Sequence, residues 1–165
     1  MTESEFKKLS NELRSCVNNI PKHWGAVQND KFDSDLNVFE IYSFEELERM
    51  IANLPTKRQM YNRRRWFIRM CSKCDEYLFY VNKNVTPNPN TRSKKYDIVF
   101  NGKLYFDVKC SVIPGPLLND VEKCIADPKN LIKHYYEHQS NGVRHHFQNR
   151  LFIVHYYWCD KIALV

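Results

Sequence analysis

The sequence predicts an α/β protein: a mixed β-sheet flanked by helices, with a helical N-terminal extension. Three observations carry that expectation. Apolar residues recur at helical spacing in successive stretches between Ser4 and Asp75. An Asn101-Gly102 pair separates two runs rich in aromatic and β-branched residues, which is the strongest short-range signal for a hairpin. A helical stretch from Leu117 to Gln139 then leads to an apolar strand candidate, Leu151 to Tyr157.

In chain order, Ser4 to Val17 places Phe6, Leu9, Leu13, Cys16 and Val17 on one helical face. Residues 18–37 read as a polar loop rich in Asn and Asp. Ser43 opens a second helix, capping it with Glu46 three residues on. Leu47, Met50, Ile51 and Leu54 form its apolar face, and Pro55 stops it. A third helix begins near Thr56 and runs past Cys71, with Met60, Phe67, Cys71, Cys74 and Leu78 in its stripe and Arg58, Arg65, Arg69 and Glu76 opposite. It ends near Asp75 if Tyr77 to Val81 is a strand, a reading the residues allow equally. Residues 82–92 read as loop. Two strands flank the Asn-Gly turn between Tyr96 and Lys109, and Pro128 interrupts the helical stretch that follows.

At 165 residues the chain is one domain's worth, with residues 1–55 an acidic helical extension packed on a core of residues 56–165. The hydrophobic fraction of 43% is enough for a packed core and excludes disorder over most of the length. The longest uncharged apolar run, Leu151 to Val154, is far short of a membrane span, and the acidic start does not resemble an export signal. A cytoplasmic protein with no membrane partner is expected. Its six cysteines are then reduced thiols packed as small apolar groups.

Charge is segregated. Residues 1–55 hold 6 Lys/Arg against 10 Asp/Glu, and residues 56–165 hold 19 against 9. A basic C-terminal two-thirds is the footprint of a polyanion-binding surface, and a plain solvated basic face is the competing reading. Arg58, Arg63, Arg64, Arg65 and Arg69, with Arg92, Lys94 and Lys95 beside the hairpin, are the candidates for gripping a phosphate backbone. The same arginines can instead pair with the acids of residues 1–55.

Charged residues inside the hairpin need an explanation, because Asp is depleted in strands. Asp107 and Lys109 share one face by alternation, leaving Leu104, Phe106 and Val108 on the core side. A plain two-residue turn puts Asp97 on the opposite face. A bulged loop, Phe100-Asn101-Gly102, pairs Asp97 with Tyr105 and Lys95 with Asp107, bringing both carboxylates to one side. The bulged form is predicted. Two carboxylates on one face suit Mg²⁺ or Mn²⁺, and Lys109 can serve a water or a developing charge on phosphate. A pair of edge charges with a surface lysine is the alternative.

An acid, a strand–turn–strand of about ten residues, then Asp107-Val108-Lys109 resembles the PD-(D/E)xK nuclease superfamily, the restriction-endonuclease-like fold. The tight motif covers Asp97 to Lys109, and the helix–hairpin–helix–strand order extends the likeness loosely from Thr56 to Tyr157. The resemblance implies that Asp97, Asp107 and the Val108 carbonyl hold Mg²⁺ or Mn²⁺ and that Lys109 serves the attacking water. It further implies an endonuclease acting on double-stranded DNA, in a restriction, mobile-element or repair setting, with a homodimer favoured where both strands are cut. The alternative is a non-catalytic nucleic-acid-binding or regulatory protein on the same fold. Tyr96 stands where the motif has Pro, and Asp107 where Glu is commoner. Many members add a helix Glu, and the candidates are Glu76, which has the family's residue type, and Asp75, which borders the apolar stripe. Cys71 and Cys74 with His134 and His138 have the residue types of a zinc site, but the cysteines lie on the apolar stripe and read as core.

Overall fold

The computed structural model describes residues 1–21, 24, 30–90, 95–138, 149–155, 157, 158, 161 and 162. The chain divides into two compact units, Met1–Leu78 and Phe79–Val165. The boundary lies near the end of the third expected helix and not at residue 55, because that helix packs its arginines and aromatic rings among the acidic residues that precede it.

The N-terminal unit is helical. Helix α1 (Glu3–Cys16) starts at Thr2, whose side chain accepts from the Glu5 amide while Glu5 accepts from the Thr2 amide. Leu9, Leu13 and Cys16 are its buried positions. A short helix α2 (Asp30–Asp35) interrupts the expected loop, its polar sequence having hidden it from a periodicity argument. Helix α3 (Phe44–Ile51) begins as expected, with Ser43 Oγ accepting from the Glu46 amide at 3.1 Å. Leu47 and Ile51 are fully buried, but Met50 is half exposed and lies off the core face.

Helix α4 (Thr56–Tyr80) is one unbroken helix of 25 residues, so Tyr77 to Tyr80 continue it and do not form a strand. Its buried stripe is Tyr61, Asn62, Trp66, Phe67, Met70, Cys71 and Cys74, rotated from the expected one; Leu78 is exposed. The Trp66 indole donates to the Ile41 carbonyl at 2.9 Å and packs beside Phe44.

The C-terminal unit is built on a four-stranded mixed sheet in the order β1 (Val85–Pro87), β2 (Ile98–Phe100), β3 (Leu104–Val112) and β4 (Arg150–His155). The edge strand β1 lies in what reads as loop; it is three residues long and ends in proline, as edge strands can. Strands β1 and β2 and strands β2 and β3 pair antiparallel, and β4 runs parallel to β3. A 3₁₀ turn (Gly115–Asp120), α5 (Val121–Ala126) and α6 (Lys129–His138) form the crossover, broken at Pro128 as expected. Cys124, Leu131 and Tyr135 form its core with Leu117, Phe152 and Val154. Tyr135 stacks on Phe152 at 5.0 Å. Residues 157–158 and 161–162 pair as a separate two-stranded ribbon.

This is a mixed α/β architecture. Among the described residues no helix is long and apolar enough to cross a membrane.

Candidate active site

The β2–β3 turn sets the site. Asn101 (φ 50°) and Gly102 (φ 66°) both adopt left-handed backbone, and the Lys103 amide closes the turn on the Phe100 carbonyl at 3.0 Å. Phe100 then pairs with Leu104, so Lys103 is the extra residue of the loop. The expected pairing of Asp97 with Tyr105 and Lys95 with Asp107 is therefore not formed. The observed register, Ile98 with Phe106 and Val99 with Tyr105, is displaced by two residues from the expected one. Because the displacement is even, the faces are unchanged. Asp97 stands just before the paired residues, its amide donating to the Phe106 carbonyl at 2.8 Å and its carboxylate lying close to Asp107 and Lys109.

The three motif side chains meet there. Lys109 Nζ donates to Asp107 Oδ1, and it also lies 3.2 Å from the Val108 carbonyl oxygen. The Asp97 carboxylate lies close enough to Asp107 and Lys109 to feel both of their charges. Asp97 Oδ2 also accepts from the Val108 amide at 2.7 Å. The Asp107 amide is bonded on the β4 side to Asn149, so the Val108 amide and carbonyl point the other way, past the end of β2. Burial raises the Asp97 carboxyl above its ordinary value; the Val108 amide and the Lys109 charge oppose that, and Asp107 adds to it. On the other face Ile98 is fully buried, Phe106 and Val108 are half-buried, and Leu104, expected in the core, is exposed at the hairpin tip.

Arg150 is the residue that sequence reasoning missed. The parallel register sets it beside Asp107, and its Nε lies 3.7 Å from Asp107 Oδ2. Its side chain is only 3% exposed, and Nε has no hydrogen-bond partner. The guanidinium stands 5.7 Å from the centre of the Tyr136 ring. A lone arginine at the head of the apolar run Leu151 to Val154 was the one available signal, and only the strand register connects it to Asp107.

The expected phosphate-gripping arginines are placed differently. Arg63 makes a two-pronged bond to Glu48 at 2.6 and 2.7 Å, which holds its guanidinium proton more firmly than usual. Arg65 does the same with Asp33, and Arg58 bonds Asp35 at 2.6 Å. Arg64 donates to the Pro21 carbonyl and lies over Trp24, while Arg69 reaches Glu76 at 3.7 Å. Their partners lie within the N-terminal unit, so the pairing with acids of residues 1–55 is the arrangement found for Arg58, Arg63 and Arg65. Glu76 is a residue of that unit as well, facing Arg69. Lys95 is exposed. Arg92 and Lys94 lie outside the described residues, as do His145, His146 and Cys159. Cys71 and Cys74 are buried in the N-terminal unit, as core thiols would be, and burial pushes the Cys74 thiol up to about 11.

Among the described residues no three His, Cys, Asp or Glu side chains cluster as a metal site. The donor set that does converge is two carboxylates and one main-chain carbonyl. Those are hard oxygens, and two adjacent carboxylates are a pair that a divalent cation can hold together, with waters and phosphate completing the shell. The residues fit Mg²⁺ or Mn²⁺ in chemistry. They also present two cations to Asp107, which weigh against it. Compared with protein-family models, curated proteins and solved structures, the chain matches none.

Proposed function

We propose that this chain is a metal-dependent nuclease of the PD-(D/E)xK type that hydrolyses phosphodiester bonds in DNA. The observation that supports it is the convergence of Asp97, Asp107 and Lys109 on one face of the β2–β3 hairpin. In this reading Asp97, Asp107 and the Val108 carbonyl hold Mg²⁺ or Mn²⁺. When bound, such an ion acidifies a water and polarises the scissile phosphate. Lys109, held on Asp107, orients that water or offsets charge developing on the phosphate. The Val108 amide fixes the Asp97 carboxylate, so one acid is positioned by main chain and the other by side-chain cations. Symmetric cutting of double-stranded DNA would call for two copies of the chain.

The test is plasmid cleavage by purified protein with added Mn²⁺ or Mg²⁺. Nicking or linearisation that is lost on chelation and in Asp107→Ala supports the reading. A second reading has its own observation: both oxygens of Asp107 face a cation, Lys109 on one and Arg150 on the other. A cluster neutralised in this way needs no metal, and suits a non-catalytic nucleic-acid-binding or regulatory protein. Salt-sensitive retardation of DNA with no cutting in either metal would favour it.

A further inference from the structure

The Asp97–Asp107 pair does not stand alone. In their charged forms Asp97, Asp107, Lys109 and Arg150 sum to zero before any ion arrives. Lys109 approaches from β3 itself, and Arg150 from the neighbouring parallel strand. The two bases are not equivalent. Lys109 makes a hydrogen bond to Asp107 Oδ1, whereas Arg150 is nearly sealed, with Nε 3.7 Å from Oδ2 and no bond made by that nitrogen. A buried guanidinium nitrogen is seldom left without a partner. A group 3% exposed cannot reach DNA, so its effect passes through Asp107.

We propose that Arg150 is a positioning residue that sets the divalent-ion affinity of the Asp97–Asp107 pair, acting as a second fixed counter-cation on Asp107. The inference rests on the metal-binding part of the proposed function and not on cleavage. Its physics is competition: an ion shared by two carboxylates feels the repulsion of every fixed positive charge within a few ångströms, and that repulsion is little screened where the charge is buried. Arg150 therefore holds the Asp107 carboxylate in place while weakening the site for Mg²⁺ or Mn²⁺, so that filling it depends on the additional oxygens and negative charge of a bound phosphate.

The experiment is Mn²⁺ binding to the full chain without DNA, followed by the electron paramagnetic resonance of free Mn²⁺. Wild type, Arg150→Met, Arg150→Gln and Arg150→Lys are compared, with thermal unfolding confirming that each is folded. The neutral variants are expected to bind Mn²⁺ at least about tenfold more tightly than wild type, while Arg150→Lys stays within about threefold. The tightening should disappear when Asp107→Asn is added. Arg150→Gln serves if Arg150→Met fails to fold. Binding in the neutral variants alone also supports the proposal. Neutral variants that bind within about twofold of wild type, or more weakly, overturn it. If no form binds Mn²⁺, the proposal and the metal reading fall together. Tight binding in Arg150→Met with no cleavage by any form sinks the nuclease reading and leaves this one standing. Wild-type cleavage with unchanged Mn²⁺ affinity in the variants does the reverse.

Discussion

Arg65 offers the clearest decision between an internal and an external use of the arginine run. Its guanidinium meets Asp33 with Nη2 at 2.7 Å and Nε at 3.1 Å. The side chains are 29% and 17% exposed, so the pair is partly desolvated but not sealed. Charge-assisted bonds of this geometry contribute about 1.5–3 kcal/mol each when well buried, and exposed pairs about 0–1. Between those limits the pair should couple by about 1–2 kcal/mol. Asp33 also accepts from the Tyr61 hydroxyl at 2.9 Å, so Asp33→Asn alone overstates the pair. A double-mutant cycle with Arg65→Gln, read by urea denaturation, removes that excess. The Glu3–Lys7 pair, exposed at both ends, should couple by no more than about 0.5 kcal/mol and serves as the reference. Binding to DNA supplies an independent readout, because a lost phosphate contact lowers the slope of log K against log salt by about 0.9. Arg65→Gln should leave that slope unchanged. A coupling below about 0.3 kcal/mol, together with a slope reduced by about 0.9, would refute the internal assignment.

Burial raises the Cys16 thiol to about 12 and the Cys74 thiol to about 11, so roughly one in ten thousand and one in a thousand are thiolate at pH 8. Iodoacetamide should leave both unmodified in native protein, as followed by mass spectrometry, and label both in urea; native labelling at the urea rate would contradict their core placement. Asn62 is 1% exposed, and neither polar atom of its amide has a hydrogen-bond partner. Asn62→Leu should raise stability by about 1–3 kcal/mol in urea unfolding, and a comparable loss would show that the amide is satisfied. Lys109→Met should lower Mn²⁺-supported plasmid cleavage by about 10²-fold or more while Mn²⁺ binding persists; retained cleavage would remove the ammonium from the chemistry.

Local chemistry made much of the fold legible. Ser43 announces α3 because one hydroxyl satisfies one orphan amide, and the Asn101-Gly102 pair announces the hairpin because both residues accept left-handed backbone. The site faces were legible for a related reason. Strand alternation has a period of two, so a register misplaced by two residues still set Asp97 beside Asp107. What stayed hidden was non-local. Strand β1 is only three residues long with a proline at its end, α2 has almost no apolar residue to show a period, and Arg150 joins the site only through the parallel pairing of β3 with β4. The acids that pair with Arg63, Arg58 and Arg65 lie 15 to 32 positions away, a distance at which no sequence spacing fixes contact.

These placements move the electrostatic argument for a nucleic-acid partner from one part of the chain to another. Divided at residue 55, the sequence puts ten net positive charges on the C-terminal part, and five arginines of α4 supply half of that. Divided where the structure divides, residues 1–78 hold 13 Lys/Arg and 12 Asp/Glu, while residues 79–165 hold 12 and 7. The N-terminal unit is nearly neutral, and the five arginines of α4 already face carboxylates, a main-chain carbonyl and aromatic rings. Net positive charge therefore belongs to the unit that carries Asp97, Asp107 and Lys109, where Lys83, Lys95, Lys103, Lys123 and Lys129 are exposed. Counterion release depends on cations that can reach phosphate, so a salt slope should respond to charge removal at these lysines and not along α4. The polyanion reading and the hairpin site thus point to the same unit for independent reasons, one from net charge carried on exposed lysines and one from strand geometry.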